Sequence, residues 1–469
     1  MRGRAPLATM RRMDTDIAYS GIAGQLAALR SGEISAGDLI EGQLERIRSL
    51  EPRLRAFRLV DEAGARAAAA TADAARSRGE ERPLLGVPIA LKDNQDAEGL
   101  PTRHGLAGDP PPAAADAEIV ARLRRAGAMP VGKTNLPELA IWPLALGAAD
   151  RRAANPWDTD RQPGGSSSGS AAAVAAGLVA GATASDGGGS IRVPASMCGL
   201  VGLKPTRGAV PLAPLDTHWN GLTSAGVLTR TVEDSALMLD AIADEPLAGG
   251  LPERARREPG RLKVAVAVKS ALPPARPDRA ARESVARTAE LLRELGHEVV
   301  EVKPFYGLAV PTFLPPYLNG VAAEAGALPA ELELDRRSRR MASVGRRYGQ
   351  AAVERSLDKA ERACERILAS WQGADVLLTP AVAADAPKLT ALQRAGAVGA
   401  FLRVNPWVAY TPVWNWTGQP ALVVPGGKDK LGLPRGVQLI AKRGDDALLL
   451  QLGAQLERAR PWAAERPAL

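Results

Sequence analysis

A chain of 469 residues that is 46% hydrophobic and 24% charged has ample material for a large buried core, which marks a folded globular protein and excludes a disordered one. The net charge of +8 comes mostly from arginines spread over Ala-rich stretches, with only short clusters such as 336–340, so the concentrated basic stripe of a nucleic-acid-binding surface is not expected. Two cysteines, Cys198 and Cys364, suffice for neither a metal site nor a disulfide-stapled scaffold, and a reducing, cytoplasmic setting follows as the expectation.

Residues 1–13 carry Arg2, Arg4, Arg11 and Arg12 with no apolar stretch behind them, so 1–16 reads as a tail and not as a secretory signal. No uninterrupted apolar run approaches the length of about 18 residues that a membrane-spanning helix needs. Apolar residues at helical spacing predict surface helices over 17–30 and, behind a Ser35 cap, over 35–50. An Ala-rich helix at 61–78 leads into an apolar run at 85–91 that reads as a buried strand. The alternation continues with a helix at 116–126 and a strand at 129–132, then a helix at 170–178 and a strand at 182–185. Helix and strand in alternation imply an α/β fold around a mixed or parallel sheet. The Pro-, Gly- and Arg-rich stretch 247–260 reads as a linker or insertion boundary. Beyond it, strands at 262–268 and 298–302 flank a helix at 279–295, strands at 375–378 and 421–424 return to the core, and a last helix covers 445–458.

Only three histidines occur, His104, His218 and His297, and no serine occupies a nucleophile elbow beside a strand, so a Ser-His-Asp triad is not expected. His297 reads as a turn residue, while His104 and His218 flank loops within reach of a pocket. Three other pieces stand out. Gly/Ser-rich Pro163–Ser170 runs straight into an Ala-rich helix, as a linker inside a folded core does not, and it lacks the Lys-Ser/Thr pair of a phosphate-binding loop. In Ser185–Arg192 three glycines, Gly187, Gly188 and Gly189, precede Ser190, and consecutive glycines can converge backbone amides on one point, as an oxyanion requires. In Gly86–Asn94 an apolar strand ends on Lys92; if buried, this ammonium is disfavoured by desolvation and a neutral amine becomes a usable base.

Together the three pieces resemble the amidase signature family, whose members share a Lys-ended strand, a Gly/Ser loop and a G-G-S-I-R segment. Val131–Leu139, Cys198–Thr206 and Thr417–Ala421 also resemble family segments, and the similarity runs from about 17 to 458, weakest over 247–412. The resemblance implies one α/β domain over 17–458, a large, mixed, mostly parallel sheet covered by helices on both faces. Residues 247–412 would then be a more variable, substrate-shaping region and 459–469 a tail. It also implies a Ser-cisSer-Lys triad of Ser190, Ser166 and Lys92. The oxyanion would meet the amides of Gly187, Gly188, Gly189 and Ser190, and Ser167, Asp186 and Arg192 would support them. Two departures from the family pattern are Ser168 and Ala209, where Gly and Arg are commoner.

The reaction so implied is hydrolysis of a carboxylic amide through an acyl-enzyme on Ser190, with no metal or organic cofactor and a small-molecule amide as the partner. Neither nucleic acid nor membrane is called for, and a homodimer is left open. Trp142, Trp414 and Trp416 suit an apolar, aryl or cyclic substrate, against the alternative of ordinary core packing. Two rival functions are a glutamine-hydrolysing subunit of a tRNA-dependent amidotransferase and a catalytically idle binding protein of the same fold.

Overall fold

The computed structural model describes residues 15–148, 151–245, 247, 249–307 and 309–469; of the tail read over 1–16, residues 1–14 lie outside them. Among the described residues eleven strands form one sheet: β1 (Phe57–Val60), β2 (Pro88–Lys92), β3 (Met129–Thr134), β4 (Gly181–Asp186), β5 (Val201–Lys204), β6 (Ser224–Thr229), β7 (Lys263–Val266), β8 (Glu298–Glu301), β9 (Val376–Pro380), β10 (Ala421–Lys428) and β11 (Pro434–Ile440). Their order is β1-β3-β2-β4-β6-β5-β10-β11-β9-β7-β8.

Side chains of a strand alternate between the two faces of its sheet, and here both faces are apolar. Ile89 and Leu91 of β2, Val264 and Val266 of β7, Val376 and Leu378 of β9, and Leu422 and Val424 of β10 all enter one core. The helices Glu118–Arg125, Val232–Ile242, Arg279–Glu294 and Asp446–Ala459 cover that face with Val120, Leu239, Val285 and Leu452. The intervening Ala90, Ala182 and Val423 face the opposite way, against Ala36–Leu54, Glu62–Ser77 and Ser168–Ala175. Ala265 and Leu377 face a third cluster with Trp371, Trp414 and Val321. Short polar side chains start the helices where the sequence places them: Ser35 accepts from Asp38 N–H at 3.0 Å, Asp61 from Gly64 at 2.9 Å and Asp278 from Ala281 at 2.8 Å.

Three expectations change. The fold is α/β with helices on both faces, but the sheet is not mostly parallel: β2 pairs in parallel with β3 and β4, and β7 with β8 and β9, while the six other neighbour pairs are antiparallel. The antiparallel centre uses β5, β6 and β11, and the short or small-residue sequences of the first two (VGLK, SAGVLT) carry little period-two signal. The stretch read as a linker contains the helix Leu251–Arg256, whose Leu251 and Ala255 join the first core. The first helix is interrupted at Gly21, which has φ +71°, into Thr15–Tyr19 and Gly21–Ser31. Among the described residues no helix is long and apolar enough to cross a membrane.

Candidate active site

The site forms at the carboxyl ends of β2 and β4, the usual place for function in a sheet with parallel strands. Parallel pairing of Ala90 with Ala182 sets Lys92 beside the end of β4, where its N–H donates to Thr183 Oγ1 at 2.9 Å. Lys92 shares the face of Ala90 by strand alternation, so its side chain runs under the loop that precedes Ser168–Ala175. It is fully buried, and its Nζ lies 2.8 Å from Ser166 Oγ and 2.8 Å from Ser185 Oγ. Desolvation pushes the Lys92 pKa down to about 7, with the charges of Asp186 and Glu324 pulling the other way. A neutral amine is therefore well populated near neutral pH.

The Gly/Ser loop is a buried piece of core. The Gly165–Ser166 peptide bond is cis. Ser167 N–H donates to Ser190 C=O at 3.2 Å, which ties the loop to the Gly-rich segment, and Ser168 Oγ points away to Asn135 C=O at 3.2 Å. Ser168 therefore places no hydroxyl beside Ser166, and its departure from the family pattern is accommodated.

Asp186 and Arg192 shape the Gly-rich loop between them. The Asp186 carboxylate accepts from Gly189 N–H at 2.6 Å, Ile191 N–H at 3.1 Å, Asn415 Nδ2 at 2.9 Å and both arms of Arg192 at 2.9 Å. Burial by itself would raise the carboxyl, but the Arg192 guanidinium and these donors hold it well below the usual carboxylate range. Arg192 reaches on to Thr411 C=O, Gln438 and Asn415, so it anchors the loop to β11 and to the helix Pro412–Thr417. Gly189 has φ +132°, and a Cβ there would come within 2.4 Å of Thr411 Oγ1, which explains the glycine. One expectation changes here: the Gly189 amide already donates to the Asp186 carboxylate at 2.6 Å, which leaves the amides of Gly187, Gly188 and Ser190 as the candidate oxyanion donors.

Ser190 lines a cavity of about 470 Å³ together with Gly188 and Gly189. The opposite walls are apolar and aromatic, with Trp142, Trp219, Phe313, Tyr317 and Phe401. Of the three tryptophans expected there, only Trp142 is present. On the short helix Pro412–Thr417, Pro412 and Val413 line the cavity, whereas Trp414 packs edge-on against Trp371 and Tyr306 and Trp416 Nε1 donates to Ser356 C=O at 3.2 Å. A helix turns about 100° per residue, so one segment cannot present all of them to the same space. Trp414 and Trp416 are core residues. Trp219, Phe313 and Tyr317 take the role at the cavity, from parts of the chain with no motif to mark them. Sequence reasoning also misses Ser185, although it lies one residue before Asp186 in the segment singled out.

The Amidase family model matches residues 38–450. This chain belongs to the amidase signature family. It is 44% identical over 463 residues, 97% of this chain and 99% of the relative, to the Mycobacterium tuberculosis protein named "Putative amidase AmiB2". Among solved structures it resembles 6-aminohexanoate cyclic dimer hydrolase, with a TM-score of 0.86 at 28% identity over 96% of this chain and 99% of the other. It also resembles the peptide amidase PAM, whose structure holds the competitive inhibitor chymostatin, with a TM-score of 0.81 at 26% identity over 97% of this chain and 100% of the other. The protein is thus an amidase, a hydrolase of carbon–nitrogen amide bonds. The residues matched by the family model include Lys92, the Gly/Ser loop and the Gly-rich segment.

Proposed function

We propose that this amidase cleaves an apolar carboxylic amide through an acyl-enzyme on Ser190, with Lys92 as a neutral base acting through Ser166. The observation that carries the reading is the environment of Lys92, a fully buried amine set between two hydroxyls at 2.8 Å. As Ser190 Oγ attacks the carbonyl carbon, its proton passes to Ser166 and the Ser166 proton passes to Lys92. Negative charge develops on the carbonyl oxygen, which meets the Gly187, Gly188 and Ser190 amides. The C–N bond then breaks, the proton returns along the same relay to the leaving nitrogen, and water hydrolyses the ester to a carboxylate and free Ser190.

The aromatic cavity at Ser190 supports an apolar or aryl acyl group. The likeness to a hydrolase of 6-aminohexanoate cyclic dimer supports keeping cyclic amides in the same class. The aromatic lining favours an independent amidase over a glutamine-hydrolysing subunit, and the chain is expected to act alone in the cytoplasm, where its two free cysteines suit a reducing milieu. The test is Ser190→Ala: turnover of an aryl amide should fall by about 10⁴-fold or more with the melting curve retained, and a fluorophosphonate should label only the parent protein. Activity near that of the parent overturns the assignment. Ammonia released from glutamine alone, and only with partner subunits added, would favour the amidotransferase reading.

A further inference from the structure

The apolar cavity at Ser190 reaches solvent through a mouth of its own character. Among the described residues that line it, three are exposed, Pro273, Pro274 and Leu402, and all three are apolar. The two prolines stand on the loop that follows β7 and Leu402 on the helix Ala397–Arg403, and Asn405 Nδ2 joins the two sides by donating to Pro273 C=O at 3.3 Å. That helix turns Ala397 and Ala400 into the core and leaves Val398 and Leu402, one turn apart, 60% and 68% exposed. Single apolar residues on a surface need no explanation, but a group of them around the mouth of an apolar cavity marks a place where something docks.

The chain around this mouth is uniformly basic. The segments 268–277, 336–347 and 391–404 hold ten lysines and arginines and no aspartate or glutamate, although acidic residues make up 52 of the 469 in the chain. The helix Arg336–Gly345 belongs to the same face, because Arg337 lies over the Trp142 ring of the cavity wall at 5.8 Å and its Nη2 donates to Gln393 C=O at 2.8 Å. Lys269, Arg276, Arg336, Arg340, Arg394 and Arg403 are all exposed. The carboxylates next in the chain are engaged locally: Asp278 accepts from Ala281 N–H at 2.8 Å, Asp335 from Ser338 N–H at 2.6 Å, and Asp385 lies 3.7 Å from Arg161.

We infer that this face docks on an anionic lipid bilayer, with Val398, Leu402, Pro273 and Pro274 entering the interface and the surrounding cations meeting the headgroups. Exposed apolar side chains within a basic surround are what an interfacial, non-spanning attachment requires. A second copy of the chain fits poorly, since pairing this face with itself would oppose like charges. The inference deepens the apolar-substrate reading and rests on it for the route: an apolar amide concentrates in the bilayer, and the mouth opens toward that phase. It replaces the expectation that no membrane is called for.

The test is sedimentation with vesicles of phosphatidylcholine containing about 30% phosphatidylglycerol, to which the protein should bind at least about tenfold more tightly than to phosphatidylcholine alone. Salt at about 0.5 M should release it. Val398→Asp, and separately the double variant Arg340→Glu with Arg394→Glu, should each weaken binding by about tenfold while kcat/KM on a short, water-soluble amide stays that of the parent. Arg53→Glu, on the helix Ala36–Leu54 whose buried side packs in a different core, should bind as the parent does. Absence of binding to the anionic vesicles, or parental binding in both mouth variants, overturns the inference. So does polyglutamate binding as tight as vesicle binding and indifferent to Val398→Asp, which marks a merely electrostatic face, and so does a dimer that Val398→Asp dissociates in place of vesicle binding. Sedimentation of Ser190→Ala should match the parent, so a failed docking surface leaves the Ser190 mechanism standing, and a failed Ser190 assignment shows in turnover alone.

Discussion

Lys92 and Lys133 stand near the ends of neighbouring parallel strands, and neither has any exposed side chain. They point to opposite faces of the sheet, because Lys133 is in register with Leu91 and Lys92 with Thr134. Their surroundings differ in one respect that bears on the role proposed for Lys92. Lys133 Nζ lies 3.3 Å from the Asp93 carboxylate, itself fully buried, and donates to Thr102 Oγ1 at 2.9 Å. Lys92 meets the hydroxyls of Ser166 and Ser185, and its nearest charges act only from a distance. Desolvation lowers both lysines, but at Lys133 an adjacent carboxylate opposes the loss of charge. Burial alone does not free a lysine of its charge, and the absence of an adjacent carboxylate is what the proposed role of Lys92 draws on.

This contrast is sharpest under removal of each amine. Lys92→Met should lower kcat by about 10⁴-fold or more at every pH, with a small change in stability because no carboxylate is left stranded. Lys133→Met should instead strand the Asp93 carboxylate and cost about 3–5 kcal/mol, read from the shift of the urea midpoint. Comparable loss of kcat in the folded fraction of both variants would break the comparison.

The next effect is on pH dependence. Because the base must be neutral, and the folded-state pKa of Lys92 is lowered to about 7, kcat/KM should rise about tenfold per pH unit below that value and level off above it. A profile that is flat from about pH 6 to about pH 10 would remove Lys92 from the role.

The smallest effect tests whether distant charge sets the position of that limb. The Glu324 carboxylate favours protonated Lys92, so Glu324→Gln should move the midpoint of the profile to lower pH while the glutamine carbonyl still accepts from Trp219. A midpoint that stays in place, or moves to higher pH, would show that the cluster does not act on the base.

Local sequence is enough to find what depends on a few neighbours in the chain. Ser35, Asp61 and Asp278 cap helices because a short acceptor three residues before a free N–H needs nothing else. Lys92, Ser166, Ser190, Asp186 and Arg192 are legible because each sits in a compact motif of special residues, glycines above all. Residues whose role depends on partners far along the chain are not. Trp219 reaches the cavity only because Glu324, 105 residues away, holds its indole, and Phe313 and Tyr317 arrive on a helix from the region where motifs are fewest. Trp414 and Trp416 lie in a recognisable segment, yet helical rotation sends them into the core and leaves Pro412 and Val413 at the cavity. The Gly189 amide looks like an oxyanion donor in the sequence and is taken by Asp186 once the loop closes. The α/β class, the helix starts and the motifs that carry the proposed reacting groups are all set by local spacing and side-chain type, so they can be read from the amino-acid order alone. The antiparallel centre of the sheet, the choice of aromatic rings that face Ser190, and the burial of Lys92 without a counter-ion arise only in the folded chain, because each depends on which distant segments pack together.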